Sequence, residues 1–205
     1  MKAVVLNCTL KPSPQTSSTE ALANVVIVEL EKGGAEVEMI RLVDLDIKPG
    51  VSADEGKGDE WPSIDERLKA ADIVIFATPT WLGQMSSVCL RALERMDAWF
   101  GETDDSGRPV AFGKVAGVVV TGNEDGAHNI VATVCQGLID MGFTIPGQSW
   151  TYWHLGPGPG PDYVETDQGH EYSDRVGRNA ARNLLAVAKV LKPTTYPVPE
   201  SGEQG

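Results

Sequence analysis

The chain has 205 residues, 41% of them hydrophobic, which is enough to bury one substantial core, and no stretch reads as a linker between two cores. With 17 basic against 29 acidic residues, its net charge of -12 sets most of the surface against a phosphate backbone and so excludes nucleic acid and anionic membrane as partners. Three cysteines, Cys8, Cys89 and Cys135, show no CxxC spacing, which excludes a disulfide framework or a zinc site and reads as reduced core thiols in a cytoplasmic protein.

Lys2 to Asn7 reads as a buried strand; its apolar run is too brief for a signal-peptide core and far below the ~18 apolar residues of a membrane span. Glu20 to Glu31 reads as a helix closed by Gly33 and Gly34, and Ala35 to Arg41 as a half-buried strand with Val37 and Met39 alternating against Glu36 and Glu38. After an acidic, glycine-bearing loop come a short helix, Ser63 to Ala70, and the strongly apolar strand DIVIFA, Asp72 to Ala77. From Ser86 to Phe100, the positions Cys89, Ala92, Leu93, Met96 and Phe100 fall on one helical face. VAGVVV, Val115 to Val120, is another fully buried strand. Ala127, Ile130, Val131, Val134, Cys135 and Leu138 then trace a helical stripe ended by Gly142.

Phe143 to Gln148 is expected as the last strand, placed at a sheet edge because Pro146 removes a ladder donor. Val176, Ala180, Leu184, Val187 and Leu191 mark a final amphipathic helix beginning near Ser173 or Asp174. Residues 193–205, PTTYPVPESGEQG, cannot bury enough apolar surface to order themselves and are expected to be a flexible tail beyond a single domain of residues 1–192. Five strands alternating with five helices is the pattern of a doubly wound parallel α/β sheet, whose ligands bind beyond the carboxyl ends of the strands. The loops after Asn7, Ala77 and Val120 are therefore where chemistry is expected.

The first of these loops has the outline of a nucleotide-binding turn without a glycine: LNCTLKPSPQTSSTEAL. Its hydroxyls, on Thr9, Ser13, Thr16, Ser17, Ser18 and Thr19, stand beside the free N–H groups and positive dipole end of a helix. That set suits a terminal phosphate, whereas a pyrophosphate calls for GxGxxG and a nucleoside triphosphate for GxxxxGK[ST], neither of which is present. The alternative is a cluster of ordinary helix caps. The second loop, TPTWLGQMSS, offers the flat face of Trp81 to a planar ligand, with Pro79 stiffening the exit and Gly83 allowing close backbone approach; a buried Trp beside a turn glycine is the alternative. In the third loop, TGNEDGAH, two glycines free the backbone, Asp125 can cap the helix, and His128 is either a donor to a ligand edge or a solvent-facing helix residue. No two of His128, His154 and His170 stand at metal-ligand spacing, so no metal site is inferred.

Taken together, the hydroxyl-rich first loop with SST at the helix start, TPTWLGQMS and TGNEDGAH resemble the flavodoxin-like superfamily, and within it the NAD(P)H-dependent FMN reductase and quinone reductase relatives. The resemblance implies a five-stranded sheet of order 2-1-3-4-5 and an FMN cofactor. It implies that Thr9, Lys11, Ser17, Ser18 and Thr19 hold the FMN phosphate, and that Pro79, Thr80, Trp81, Leu82 and Gly83 line the isoalloxazine ring. By the same likeness, Thr121, Gly122, Asn123, Glu124 and Asp125 meet the pyrimidine edge, with His128 close by. The implied chemistry is hydride transfer from NADH or NADPH to flavin and on to a quinone or similar small acceptor, in a homodimer or homotetramer, with no obligatory side-chain acid or base. The chain departs from the pattern at Cys8, Thr9 and Lys11, where relatives often carry Gly-Ser and an arginine. Ser149 to Glu171, with Trp150, Tyr152, Trp153 and His154 near its start, is expected as a long irregular segment bordering the flavin or a neighbouring subunit, with a local hydrophobic satellite under the loop as the alternative. Two other functions fit the same loops. One is a flavodoxin-type electron carrier, which the acidic surface would suit, and the other is a reductase that uses FMN as a dissociating substrate.

Overall fold

A strand covered on both faces needs no alternation of polar and apolar residues, and the runs AVVLN, IVIFA and VAGVVV form the middle of the sheet for that reason. The computed structural model describes residues 1–194 and 196–200. Its strands β1 (Lys2–Asn7), β2 (Glu36–Arg41), β3 (Ile73–Trp81), β5 (Val115–Thr121) and β6 (Trp150–Trp153) lie parallel in the order β2-β1-β3-β5-β6. The two-residue β4 (Gln84–Met85) folds back antiparallel on the end of β3 and makes the sheet six-stranded, against the five expected. Alternate residues of β1 go to opposite faces. Ala3 and Val5 meet α1 (Ser18–Lys32) and α5 (His170–Leu191) through Leu22, Val26 and Leu184. Val4 and Leu6 join the face covered by α2 (Trp61–Ala70), α3 (Ser87–Met96) and α4 (Ala127–Met141).

The fifth parallel strand is not where the sequence placed it. Between Phe143 and Gln148 only Thr144 bridges to β5, opposite Val115. Pro146 cannot donate, and Gln148 turns the chain with φ +54°, so pairing resumes only at Trp150. The aromatic segment read as irregular thus begins with the edge strand itself. Helix starts also shift: α1 begins at Ser18, not Glu20, and α5 at His170, not Ser173. α3 tightens into a 3-10 turn over Asp97–Gly101, which rotates Phe100 out to 60% exposure and buries Trp99 in its place, stacked on Phe143 at 5.7 Å. Of the residues expected as a tail, Tyr196 packs on Phe112, with ring centroids 5.0 Å apart, and its hydroxyl pairs with that of Thr144 at 3.1 Å; residues 195 and 201–205 of that segment lie outside the described residues.

One buried ion pair closes the acidic loop between η1 (Leu42–Asp44) and α2. Arg95, on the inner face of α3, donates to both carboxylate oxygens of Asp59 (3.0 and 2.7 Å) and to the carbonyls of Lys48, Ser52 and Ala53, and both partner side chains are wholly buried. Its guanidinium lies 5.6 Å from the centroid of the Trp61 ring.

At the end of the sheet away from the β1, β3 and β5 carboxyl termini, the Lys114 ammonium donates to the carbonyls of Lys69 (2.5 Å) and Ala71 (2.8 Å). Burial pushes its pKa down to about 8, against the opposing pull of Asp72. Between that value and the ordinary lysine value of about 10.4, the unfolded chain holds a proton that the folded chain has released, so folding stability from this group rises with pH. We expect the stability of the wild type relative to Lys114→Met, read from urea midpoints, to rise between pH 7 and pH 10. A difference that stays flat across that range would show that the lysine keeps its charge in the fold.

Candidate functional site

The carboxyl ends of β1 and β3 are tied together from below by Ser86, the N-cap of α3. Its hydroxyl donates to the Cys8 carbonyl (2.7 Å) and accepts from the Cys89 N–H (3.1 Å), while its own N–H donates to the Thr78 hydroxyl (3.1 Å). Above this tie opens a cleft lined by Thr9, Lys11, Ser18, Thr19, Pro79, Thr80, Trp81, Thr121, Gly122 and Asn123, ten of the residues expected there from the sequence. Leu10, Trp153, Asp162 and Tyr163 complete the wall.

The hydroxyls of the first loop have separate employments. Ser17 is not turned to the cleft: it is the N-cap of α1 and accepts the Glu20 N–H at 3.1 Å. Thr19 pairs with Thr121 at 2.9 Å, Thr9 accepts the Lys11 N–H at 3.3 Å, and Ser13 donates to Asp44 at 2.5 Å. Ser18 is different, since its hydroxyl oxygen is buried at the first residue of α1 with no hydrogen-bond partner. Beside it the first-turn N–H groups of a helix point outward without intrahelical partners.

The second loop is largely strand. β3 runs on through Thr78–Trp81 and reverses at Leu82 and Gly83, both with positive φ (+52° and +72°). This two-residue turn usually takes Asn-Gly, and a leucine there costs roughly 1–2 kcal/mol of backbone strain. Trp81 is 53% exposed and Leu82 91% exposed at the tip. Neither Leu82 nor Gly83 lines the cleft; both are lashed to the third loop instead. The Leu82 N–H donates to Glu124 (2.8 Å), the Asn129 amide donates to the Gly83 carbonyl (3.0 Å), and a Cβ on Gly126 would stand 2.6 Å from the Gly83 Cα. Glu124 is thus committed to the hairpin, and Asp125 accepts the Gly126 N–H at 2.7 Å.

His128 also stays outside the cleft. It packs edge-on against Trp150 (5.4 Å) and Tyr152 (5.1 Å), in an aromatic row that Tyr152 extends to His154 at 5.5 Å. Because side chains alternate along β6, Trp153 goes to the other face and into the cleft wall.

Asp162 and Tyr163 escaped the sequence reading because they lie far along a segment read as irregular. The Asp162 carboxylate meets the Lys11 ammonium at 3.5 Å, and the Asn123 amide donates to the Gly160 carbonyl at 2.8 Å, so the segment spans the first and third loops. Tyr163 is anchored from beneath: its ring stacks on His170 at 3.8 Å and its hydroxyl donates to Asp174 at 2.9 Å. Burial and that carboxylate push the phenol well above its ordinary pKa, so it stays protonated. A signal was present in DYVE, whose Asp162 and Glu165 form a capping box around the short turn Tyr163–Glu165.

Among the described residues no group of three or more His, Cys, Asp or Glu side chains is placed to hold a metal, and no helix is long and apolar enough to cross a membrane. The family model for NADPH-dependent FMN reductase matches residues 1–156. The 8-demethyl-8-aminoriboflavin-5'-phosphate synthase of Streptomyces davaonensis is 34% identical over 207 residues, covering 96% of this chain and 80% of that protein. The crystal structure of RosB with bound 8-demethyl-8-formylriboflavin-5'-phosphate superposes with a TM-score of 0.89 at 32% identity, over 96% of this chain and 82% of that one. A flavodoxin from the Archaea shares the fold at 15% identity, with a TM-score of 0.54 over 90% of this chain and 99% of its own. A hydroxyl-rich helix start, a tryptophan-bearing strand end and a glycine-bearing third loop meet in one cleft of a flavodoxin-like sheet, and the chain belongs to the NADPH-dependent FMN reductase family of flavin oxidoreductases.

Proposed function

We propose that the protein holds FMN as a resident cofactor and passes electrons from NADH or NADPH to a small organic acceptor of the quinone class. The observation that carries this reading is the buried, unpartnered Ser18 hydroxyl at the start of α1, with Lys11 in the same cleft wall. A buried donor without a partner costs free energy that a phosphate monoester repays, and the absent glycine turn leaves no provision for a pyrophosphate. When bound, FMN supplies two-electron chemistry, accepting a hydride from a nicotinamide and returning the electrons to an acceptor.

The chain's own residues bind, orient and exclude water. Ser18, Thr9 and the N–H groups of Ser18 and Thr19, which the Ser17 cap leaves free, would hold the phosphate, and Lys11 would add a positive charge shared with Asp162. Pro79, Thr80 and the half-exposed Trp81 would flank the planar ring, with the acceptor approaching the open side. The backbone N–H of Asn123, at the rim of the cleft, would stabilise negative charge at the ring's polar edge, while the Gly122 N–H is spent on the Trp153 carbonyl at 3.1 Å. The buried Trp153 and Tyr163 keep water from the inner wall. Self-association as a homodimer or homotetramer belongs to the same proposal, because the exposed Trp81 and Leu82 form an apolar tip that a second copy would remove from water.

A second reading is favoured by the 34% identity to an aminoriboflavin phosphate synthase: here the flavin phosphate is itself the substrate. One experiment separates the two. Protein loaded with FMN is given NADH or NADPH and a soluble benzoquinone, and the flavin is recovered afterwards for mass analysis. We expect nicotinamide oxidation that depends on the quinone and a flavin of unchanged mass. A flavin of altered mass would move the protein to the substrate reading. Flavin that stays oxidised on mixing with either nicotinamide would leave an electron carrier.

A further inference from the structure

We propose that Arg41 is a positioning residue for the phosphate end of the cleft, holding a glycine-free loop in the shape that an anion needs; the inference rests on the FMN reading. A glycine-rich loop turns its N–H groups toward a phosphate by adopting positive φ, which other residues resist. Residues 8–17 contain no glycine, and among the described residues the positive-φ positions outside glycine are Leu82 and Gln148, neither of them in this loop. Its shape must therefore be imposed from outside.

Arg41 stands where this can be done. It ends β2 directly opposite Asn7, the last residue of β1, and its side chain is 13% exposed. One guanidinium nitrogen donates to the carbonyls of Lys11 (3.2 Å) and Gln15 (2.9 Å), and the other to the carboxylate of Glu20 in the first turn of α1. The same Glu20 oxygen accepts from the Asn7 amide (3.1 Å), whose oxygen in turn accepts the Thr9 N–H (3.2 Å). One chain of hydrogen bonds thus joins the loop's entrance, its middle and the helix that follows it. Its electrostatic effect is specific. Two carbonyl oxygens that face Arg41 are kept from facing an anion in the cleft, where they would repel it. Arg41 is absent from the cleft lining, so it acts through the loop and not by touching the ligand. The planar fork reaches three acceptors at once, which a lysine ammonium on a flexible stem does not reproduce.

The test compares FMN with riboflavin, which differ only in the phosphate, by flavin fluorescence quenching in the full chain. Arg41→Ala and Arg41→Lys should both weaken FMN about 10-fold or more while riboflavin changes less than about 2-fold, because the cost falls on a loop no longer preorganised for the phosphate. Millimolar guanidinium ion should restore part of the FMN affinity of Arg41→Ala. Equal weakening of both flavins, or none, overturns the proposal. If Arg41→Ala fails to fold, Glu20→Gln, which keeps the packing and removes the charge that tethers the guanidinium, should show a smaller loss of the same selectivity. Amide hydrogen exchange of residues 9–17 gives a readout without flavin: it should quicken in the variant, and unaltered exchange overturns the proposal. If the wild type binds neither flavin, the FMN reading falls and this exchange measurement alone decides whether Arg41 shapes the loop.

Discussion

Asp59→Ala is expected to destabilise the fold by about 3–5 kcal/mol, the loss typical of stripping one partner from a buried ion pair. The Arg95 guanidinium then remains fully buried, still bonded to three carbonyls, with its charge unopposed. The loss should be structural as well as energetic, because Asp59 also accepts the N–H groups of Lys48, Glu55 and Trp61 and so gathers both ends of the loop that covers α3. Equilibrium urea unfolding measures it, and a change below about 1 kcal/mol would mean that water reaches the guanidinium. Replacing both partners by apolar residues should recover much of the loss, since the pair is costly to break and not costly to replace. The same carboxyl carries a pH signature. Burial alone would raise its pKa, but Arg95 and the three N–H donors hold it well below the usual carboxylate range. A depressed folded value contributes stability that is present above the unfolded value of about 3.9 and is lost as the pH falls toward the folded one. Acid unfolding should therefore lose this contribution in Asp59→Asn.

Ser18→Ala is expected to cut FMN affinity about 10- to 100-fold, the worth of one hydrogen bond to a charged group, while leaving riboflavin nearly unchanged. The flavin-free protein should move the other way. Because the Ser18 hydroxyl oxygen is buried without a partner, its removal should leave the fold as stable as the wild type or more so, by up to about 1–3 kcal/mol. Ser17→Ala is the matched control. It deletes a helix cap, should cost about 0.5–2 kcal/mol of stability, and should affect both flavins alike. Titration calorimetry with FMN and riboflavin, together with thermal melts without flavin, reads all six numbers. Should Ser18→Ala behave like Ser17→Ala, the first loop would be a capping cluster and not a phosphate site.

The contrast between these two neighbours shows how far sequence could go. Both serines stand in the same SST triplet, and helix physics makes each a sound cap. Which one serves as the cap depends on where α1 begins, and such boundaries are set within one or two residues by tertiary contacts. With α1 starting at Ser18 and not at Glu20, the cap falls to Ser17 and Ser18 is released. Trp150 to Trp153 was misread for a related reason. Its alternation suits an edge strand, but the chain's exit from pairing at Pro146 and Gln148 displaced the strand by several residues. His128 sat in a loop whose earlier residues do line the cleft, yet it is an exposed residue of α4, the second of its two sequence readings, with its ring edge-on to Trp150 and Tyr152.

By itself the sequence determined the parallel α/β order, since strands covered on both faces are written as unbroken apolar runs and helices as three-four stripes, both local patterns. It also placed the residues of three strand-end loops that share one cleft, the first of them bearing hydroxyls and no glycine. Only the tertiary structure decided how those hydroxyls divide, because their partners are distant: Thr121 for Thr19 and Asp44 for Ser13. The same holds for Arg41 behind the first loop, Arg95 under the acidic loop, and Asp162 facing Lys11 across the cleft. A polar side chain states what it can bond, and the fold selects the partner by what it brings within about 3 Å.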